Sequence, residues 1–474
     1  MAAVGCLHGE LDAVYRTIEY ADAQCGRRTD LVLICGDVQA ARDAHDLASM
    51  SFATFEPRLG DFQAYHDGRK RAPILTLVVG GNHEASQHFW ELYHGGWLAP
   101  NIFYLGTAAV VRCGGLRVAG VSGIAKAYDF ARGYACPPPD PAVDPVYFDN
   151  WCHSVYHLRE YEFFRLGTLA SPWEAIASAT SEAAATTTPA RLDIVLSHDW
   201  PTGIARQGDT AALYRRKPAF RAEAATLGSP ALRDLLARMQ PRYWIAAHHH
   251  VRHAVLVRHP AGTETRFLAL SKVLPGYDFL QLLEIPLPSD GSNNSTKGSN
   301  SEGLELAYDL EWLHSVHATA SLFPVGDRQR FAFPPPGSPE TRAFALKPGD
   351  VRVTDPAVLA GMLRIPPCAT VPGCVVDPPA LQQQRFLELL QTLFGPFPLH
   401  LPFPLPQRQF LQQPVPVFQP AVPNPEEIPI DCGDGDANSG NGRVEGHGDT
   451  KAGEPPGLLP APDVSNAEEI PLDC

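Results

Sequence analysis

Five short apolar runs in the first 250 residues each close on a polar cluster. Ala2 to Val4 leads into Gly5-Cys6-Leu7-His8-Gly9, and Leu31 to Cys35 leads into Gly36-Asp37. Leu75 to Val79 breaks at Gly80-Gly81 before Asn82-His83-Glu84. Leu192 to Leu196 closes on Ser197-His198-Asp199-Trp200, and Tyr243 to Ala247 on His248-His249-His250. Runs this short, apolar nearly throughout and rich in β-branched residues, predict strands buried on both faces, as in parallel sheets. After the first run, Leu11, Val14, Tyr15 and Ile18 follow at helical spacing, which predicts a strand–turn–helix unit. The class expected is α/β. Residues 252–283 continue as strands (AVLVRH, TRFLAL, DFLQLLEI). Helical spacing returns at Leu310, Leu313, Val316 and Ala320, and again around Leu381 to Phe394 after a Pro-rich stretch.

The polar residues closing the runs fall where open α/β sheets place ligands, at the carboxyl ends of strands. Alternate positions of an extended segment point the same way, so Cys6 and His8 share one side and so do His248 and His250. His249 is expected to face away. Taken singly, Cys6 also reads as a small buried hydrophobe and Asp37 as a surface aspartate. Together, thiol, imidazole, carboxylate and amide oxygen are the donors of a divalent transition-metal site. Seven such donors (Cys6, His8, Asp37, Asn82, His198, His248, His250) exceed the needs of one tetrahedral ion. They suit two ions sharing Asp37, and two ions about 3.5–4 Å apart clamp an in-line phosphoryl displacement.

Charge changes the picture downstream. Residues 1–285 hold 27 Lys+Arg against 29 Asp+Glu, whereas 286–474 hold 11 against 23, so the negative charge sits in the tail. A nearly neutral first part gives no bulk electrostatic case for nucleic-acid binding; phosphate contacts need a local basic patch or metal. The ten cysteines show no CxxC pair, which suits free thiols in a reducing compartment. No apolar run reaches transmembrane length, and MAAVGCLHGEL lacks the basic start of a signal peptide, so a nuclear or cytoplasmic protein is expected.

These blocks resemble the motifs of the calcineurin-like metallophosphoesterases, which run D-x-H, G-D, G-N-H-E, H and G-H-x-H. Cys6 in place of the first Asp is characteristic of one branch, the RNA lariat debranching enzymes. Longer phrases agree: GCLHGELDAVYRTI, ICGDVQA, GGNHEASQHFWELYHGGWLAPNIFYLG and LSHDWPTGI. The resemblance implies a β-sandwich flanked by helices, a smaller C-terminal domain and a disordered acidic tail. It also implies hydrolysis of the 2′,5′-phosphodiester at the branch of intron lariat RNA, in the nucleus. One ion would take Cys6, His8, Asp37 and His250, the other Asp37, Asn82, His198 and His248. His83 would protonate the leaving 2′-oxygen, with Glu84 orienting it. The cofactor would be one or two divalent ions, Fe(II), Zn(II) or Mn(II), with the soft Cys6 sulfur favouring zinc or iron over manganese.

The domains expected are a phosphoesterase domain over 1–285, a linker over 286–303, a C-terminal domain over 304–400 and a tail over 401–474. Residues 125–159 sit where the family carries its lariat-recognition loop. Without the family they read as a surface insertion. Lys126, Tyr128, Tyr134, Tyr156, His157 and Arg159 are the candidate RNA contacts there, since rings and cations suit unstacked bases and backbone. Arg206 and Arg215-Arg216-Lys217 are further phosphate candidates, or a solvated helix face. Residues 177–190 read as a low-complexity loop. The tail repeats NPEEIPIDC as NAEEIPLDC, a docking motif for a protein partner or a duplicated solvating stretch. Other metallophosphoesterase activities, such as a nuclease or phosphatase, and a non-catalytic scaffold are the alternatives. A scaffold is expected to have lost His83 or the ligands, and all are present.

Overall fold

The computed structural model describes residues 1–50, 59–169, 191–286, 304–347, 349–368 and 376–396. The low-complexity loop, nearly all of the expected linker, and the tail with its repeated motif lie outside them. The strands in chain order are β1 (Ala2–Val4), β2 (Leu31–Ile34), β3 (Leu75–Val78), β4 (Gly96–Ala99), β5 (Ile102–Tyr104), β6 (Ala108–Cys113) and β7 (Leu116–Val121). They continue as β8 (Ile194–Ser197), β9 (Tyr243–Ala246), β10 (His253–Arg258), β11 (Glu264–Ala269), β12 (Leu280–Leu282) and β13 (Leu306–Tyr308).

Two sheets form a sandwich. One runs β12-β1-β2-β3-β5-β4, the other β10-β11-β9-β8-β7-β6-β13. β1, β2, β3 and β5 are mutually parallel, as are β7, β8, β9 and β11. Alternation along the first sheet divides its side chains between two cores. Ala3, Leu31, Leu33, Leu75 and Leu77 enter the core between the sheets, beside Val118, Ile194, Leu196 and Trp244. Ala2, Val4, Val32, Ile34 and Val78 face outward onto the helix Leu11–Cys25. Both faces are therefore covered, which is why the runs are apolar throughout. The helix buries Leu11, Val14, Tyr15 and Ile18 and ends at Gly26, whose φ of 59° is left-handed.

The chain after residue 304 packs onto both sheets. β13 adds to β6 as an antiparallel edge strand. Behind it Asp309 caps the helix Leu310–Thr319 and receives a two-pronged contact from Arg117 of β7, at 2.8 and 2.9 Å with both side chains buried. Leu306, Trp312, Leu313, Leu390 and Leu393 join the inter-sheet core rather than forming their own. The helix Pro379–Phe394 closes the open edge of β4 with side-chain amides. Gln382 accepts from Trp97 N (2.7 Å) and donates to its carbonyl (3.0 Å); Gln383 accepts from His94 N (3.1 Å) and donates to Gly95 O (2.9 Å). An edge strand left bare would invite pairing with another chain.

Candidate metal centre

Every expected ligand follows the carboxyl end of a parallel strand, but the strands belong to both sheets. β1, β2 and β3 of the first present Cys6, His8, Asp37, Asn82 and His83; β8 and β9 of the second present His198, His248 and His250. The turns beyond these strands are sharp. His8, Asp37, Gln39, His248 and His250 all take positive φ, between 50° and 65°. Backbone held in this region by residues with side chains stores on the order of 1–3 kcal/mol each and gathers at functional sites. Two glycines permit the crowding. A Cβ at Gly36 would fall on the His198 ring, and one at Gly81 would fall on the Asp37 carboxylate and backbone.

Cys6, His8, Asp37 and His250 have one ligand atom each within 4.8 Å of all the others. His8 Nε2 lies 3.6 Å from Asp37 Oδ2 and 3.2 Å from His250 Nε2. On the other side of the same carboxylate, His198 Nε2 lies 3.3 Å from Asp37 Oδ1 and 3.2 Å from Asn82 Oδ1. The His248 ring stands 5.0 Å from that of His198, centre to centre. The His248 backbone N–H donates to Cys6 Sγ at 3.1 Å, tying the two groups together. Asp37 is thus the shared residue. It is 1% exposed; burial pushes its carboxyl up, but the imidazoles of His198, His83, His8 and His250 outweigh burial and hold it well below the usual range. Burial, above all, holds His8 down to about 4 and His250 to about 2, so their rings are neutral donors at physiological pH.

His83 is half-buried, its ring 5.6 Å from that of His8 and its backbone N–H donating to Asp37 Oδ1 at 3.0 Å. Glu84 has a bracing role that the sequence did not show. Its buried carboxylate accepts from Val38 N (2.8 Å), Gln39 N (2.9 Å) and Gly81 N (2.9 Å). It fastens the Asp37 turn to the Asn82 turn, next to His83 in sequence. Burial, with the charge of Asp37, pushes its carboxyl up to about 8 against these three donors. His249 lies between Trp200 and Phe220 with its Nε2 3.7 Å from Asp199, and one ligand atom each of Asp199, His248 and His249 lies within 4.8 Å of the others, so it stays beside the cluster rather than facing away from it.

The insertion divides differently from expectation. Tyr128 is 44% exposed, Tyr156 and Lys126 are half-buried, and the rings of both tyrosines stand edge-on to His157 at 5.6 and 5.0 Å. Tyr134, His157 and Arg159 are buried and are scaffolding rather than surface contacts. His157 Nδ1 donates to Asp129 at 2.7 Å; Arg159 donates to the carbonyls of His157 and Ser154 and lies over the Tyr134 ring. Asp129 and Asp199 were not singled out from sequence. Asp129 organises the insertion, and Asp199 fastens it to the ligand-bearing turn by accepting from Ala125 N at 2.9 Å. Asp199 carried a signal, since it follows His198 at a strand end; Asp129 carried none. Arg216 of the basic run pairs with Asp278 on the surface.

The calcineurin-like phosphoesterase family profile matches residues 1–252, and that of the lariat debranching enzyme C-terminal domain matches residues 262–366. A lariat debranching enzyme of Arabidopsis thaliana is 36% identical over 436 residues, covering 91% of this chain and 94% of the relative. This chain belongs to the lariat debranching enzyme family. Debranching enzymes of Danio rerio and Homo sapiens are 41% and 40% identical over 329 and 337 residues, 68% and 69% of this chain. The chain spans only about half the length of these animal relatives, 51% and 55%. The phosphoesterase fold implies divalent metal ions, and the donors here fit them. His198 Nδ1 donates to the Cys35 carbonyl at 2.6 Å, which leaves the Nε2 lone pair facing the oxygens of Asn82 and Asp37. In the neutral ring that lone pair meets two acceptors, an arrangement a cation among the three would relieve. Among the described residues no helix is long and apolar enough to cross a membrane.

Proposed function

We propose that this chain hydrolyses the 2′,5′-phosphodiester at the branch of lariat RNA, and that it does so in the nucleus, where introns are excised. The reading is carried by one observation: the two oxygens of a single buried carboxylate, Asp37, face two separate donor groups. Cys6, His8 and His250 would hold one ion with Asp37; Asn82, His198 and His248 would hold the other. Bound divalent ions supply charge for the phosphoryl oxygens and lower the pKa of water toward neutrality.

The chain's own residues do the rest. His83, whose ring stands 5.6 Å from that of His8, donates a proton to the departing 2′-oxygen. Glu84 holds the turns carrying Asp37 and Asn82 at fixed separation. Tyr128, with Lys126 beside it in sequence, offers a ring and a cation to the branch nucleotide, on a base kept rigid by Asp129, His157 and Arg159. Cys6 brings a soft donor to one position, which favours Fe(II) or Zn(II) over Mn(II) there.

The test pairs a branched RNA with a linear 3′,5′-linked RNA of the same length. Cleavage confined to the branched molecule is expected; equal cleavage of both would reject the reading in favour of a general nuclease. His83→Ala should keep its metal and lose turnover by about 10²–10⁴-fold, the worth of a positioned proton donor. Unchanged turnover would remove His83 from this role.

A further inference from the structure

A second segment borders the cluster at Cys6. Lys272 stands across a parallel bridge from Cys6, and Val273 N donates to the Cys6 carbonyl at 3.0 Å. The chain then makes a turn closed by Ser271 N to Asp278 O at 3.0 Å, with Gly276 at a φ of 81°. Tyr277 at its tip is 50% exposed and Leu274 is 39% exposed. Asp278 at its base receives Arg216 at 2.9 Å, so the run Arg215-Arg216-Lys217 is drawn alongside. Lys272 is half-buried and makes no hydrogen bond or ion pair with a described residue.

An ammonium without a carboxylate partner among the described residues, on the residue bridged to Cys6, is in a repulsive field once the cluster holds divalent cations. A polyanion across the site reverses that sign. The branch ribose of a lariat joins three phosphodiesters, and the insertion occupies one side of the cluster. A strand leaving by the Cys6 and His8 side has to cross the turn 272–278. We infer that this turn, backed by residues 215–217, is a second RNA-binding rim: Lys272 pairs with a phosphate flanking the scissile one, and the Tyr277 ring stacks on a base of the departing arm. This inference rests on the branched-RNA reading and adds to it the path of one arm.

The experiment measures fluorescence anisotropy of a labelled branched RNA, in the His83→Ala full-length chain with metal added, across a salt series. Lys272→Gln should reduce the slope of log Kd against log salt by about 0.7, the share of one single-strand phosphate contact. That corresponds to roughly five-fold weaker binding at 0.1 M salt, a difference that closes toward 1 M. Lys272→Arg should restore the slope. Tyr277→Ala should weaken binding roughly five-fold or more with the slope unchanged, and Tyr277→Trp should not. Elemental analysis should find the parent's metal content in each variant. If the His83→Ala chain binds branched RNA and the unmutated chain cleaves it, but Lys272→Gln and Tyr277→Ala in the His83→Ala background bind like their parent at every salt concentration, this rim is overturned and the proposed activity stands. If the His83→Ala chain does not bind branched RNA and the unmutated chain does not cleave it, both readings fall.

Discussion

Removing the acceptor at Glu84 separates a clamp from a catalyst. Three buried backbone donors, on Val38, Gln39 and Gly81, end on its two oxygens. Glu84→Ala orphans all three. At about 1–3 kcal/mol per unsatisfied buried group, the loss is roughly 3–9 kcal/mol. A domain holds only about 5–15 kcal/mol in total, so that variant is expected near its unfolding threshold. Glu84→Gln is the sharper probe. Its oxygen still serves Val38 and Gly81, but an amide NH₂ now faces the Gln39 N–H. One hydrogen bond is lost and two donors oppose each other, at a cost of about 1–3 kcal/mol. The turn that moves carries Asp37, so metal affinity should drop about 10–100-fold, the usual effect of losing a group that orients ligands. Urea unfolding in metal-free buffer reads the first quantity and chelator competition the second. Turnover of Glu84→Gln should recover in excess metal. Parent-like apo stability and metal affinity, together with turnover reduced by about 10²–10⁴-fold at saturating metal, would refute the clamp and return Glu84 to the chemistry.

Two further expectations follow from single groups. Cys6→Asp should raise the share of manganese among the metals retained after purification, read by elemental analysis; an unchanged share would mean that the sulfur does not set the preference. His88 is buried, with Nδ1 donating to the Ala40 carbonyl at 2.8 Å, and burial, assisted by Arg42, holds its ring down to about 3. The unfolded chain therefore binds a proton there between about pH 6.5 and 3 that the folded chain refuses, so stability is full above this window and falls with pH through it. His88→Asn should flatten the dependence of unfolding free energy by about 1.4 kcal/mol per pH unit between about pH 4 and 6, and an unaltered slope would contradict a neutral buried His88.

What could be read in advance was local. A strand that ends on Gly-Asp or His-x-His announces both its burial and its donors within eight residues, so the positions around Cys6, Asp37, Asn82, His198 and His250 were legible. Which sheet each strand joins was not, because pairing partners lie far apart in sequence and apolar runs carry no label for one sheet or the other. The bracing by Glu84 was hidden for a related reason: a carboxylate beside His83 in sequence can reach across the turn to residues 38 and 39. Tyr134, His157 and Arg159 show a different limit. Rings and cations look alike in composition whether they meet solvent or brace the inside of an insertion, and only Asp129, thirty residues before Arg159, decides between the two. The amides of Gln382 and Gln383 gave no signal because a strand edge accepts any suitable donor and acceptor.

Because the donors come from both leaves of the sandwich, ions at Asp37 would act as rivets across the seam as well as reagents. Any ligand that binds the folded chain alone adds stability, about 2.7 kcal/mol at a hundred times its dissociation constant. The metal supply of the compartment then governs how long the two leaves stay joined, and a cell short of metal would lose the protein itself along with its turnover.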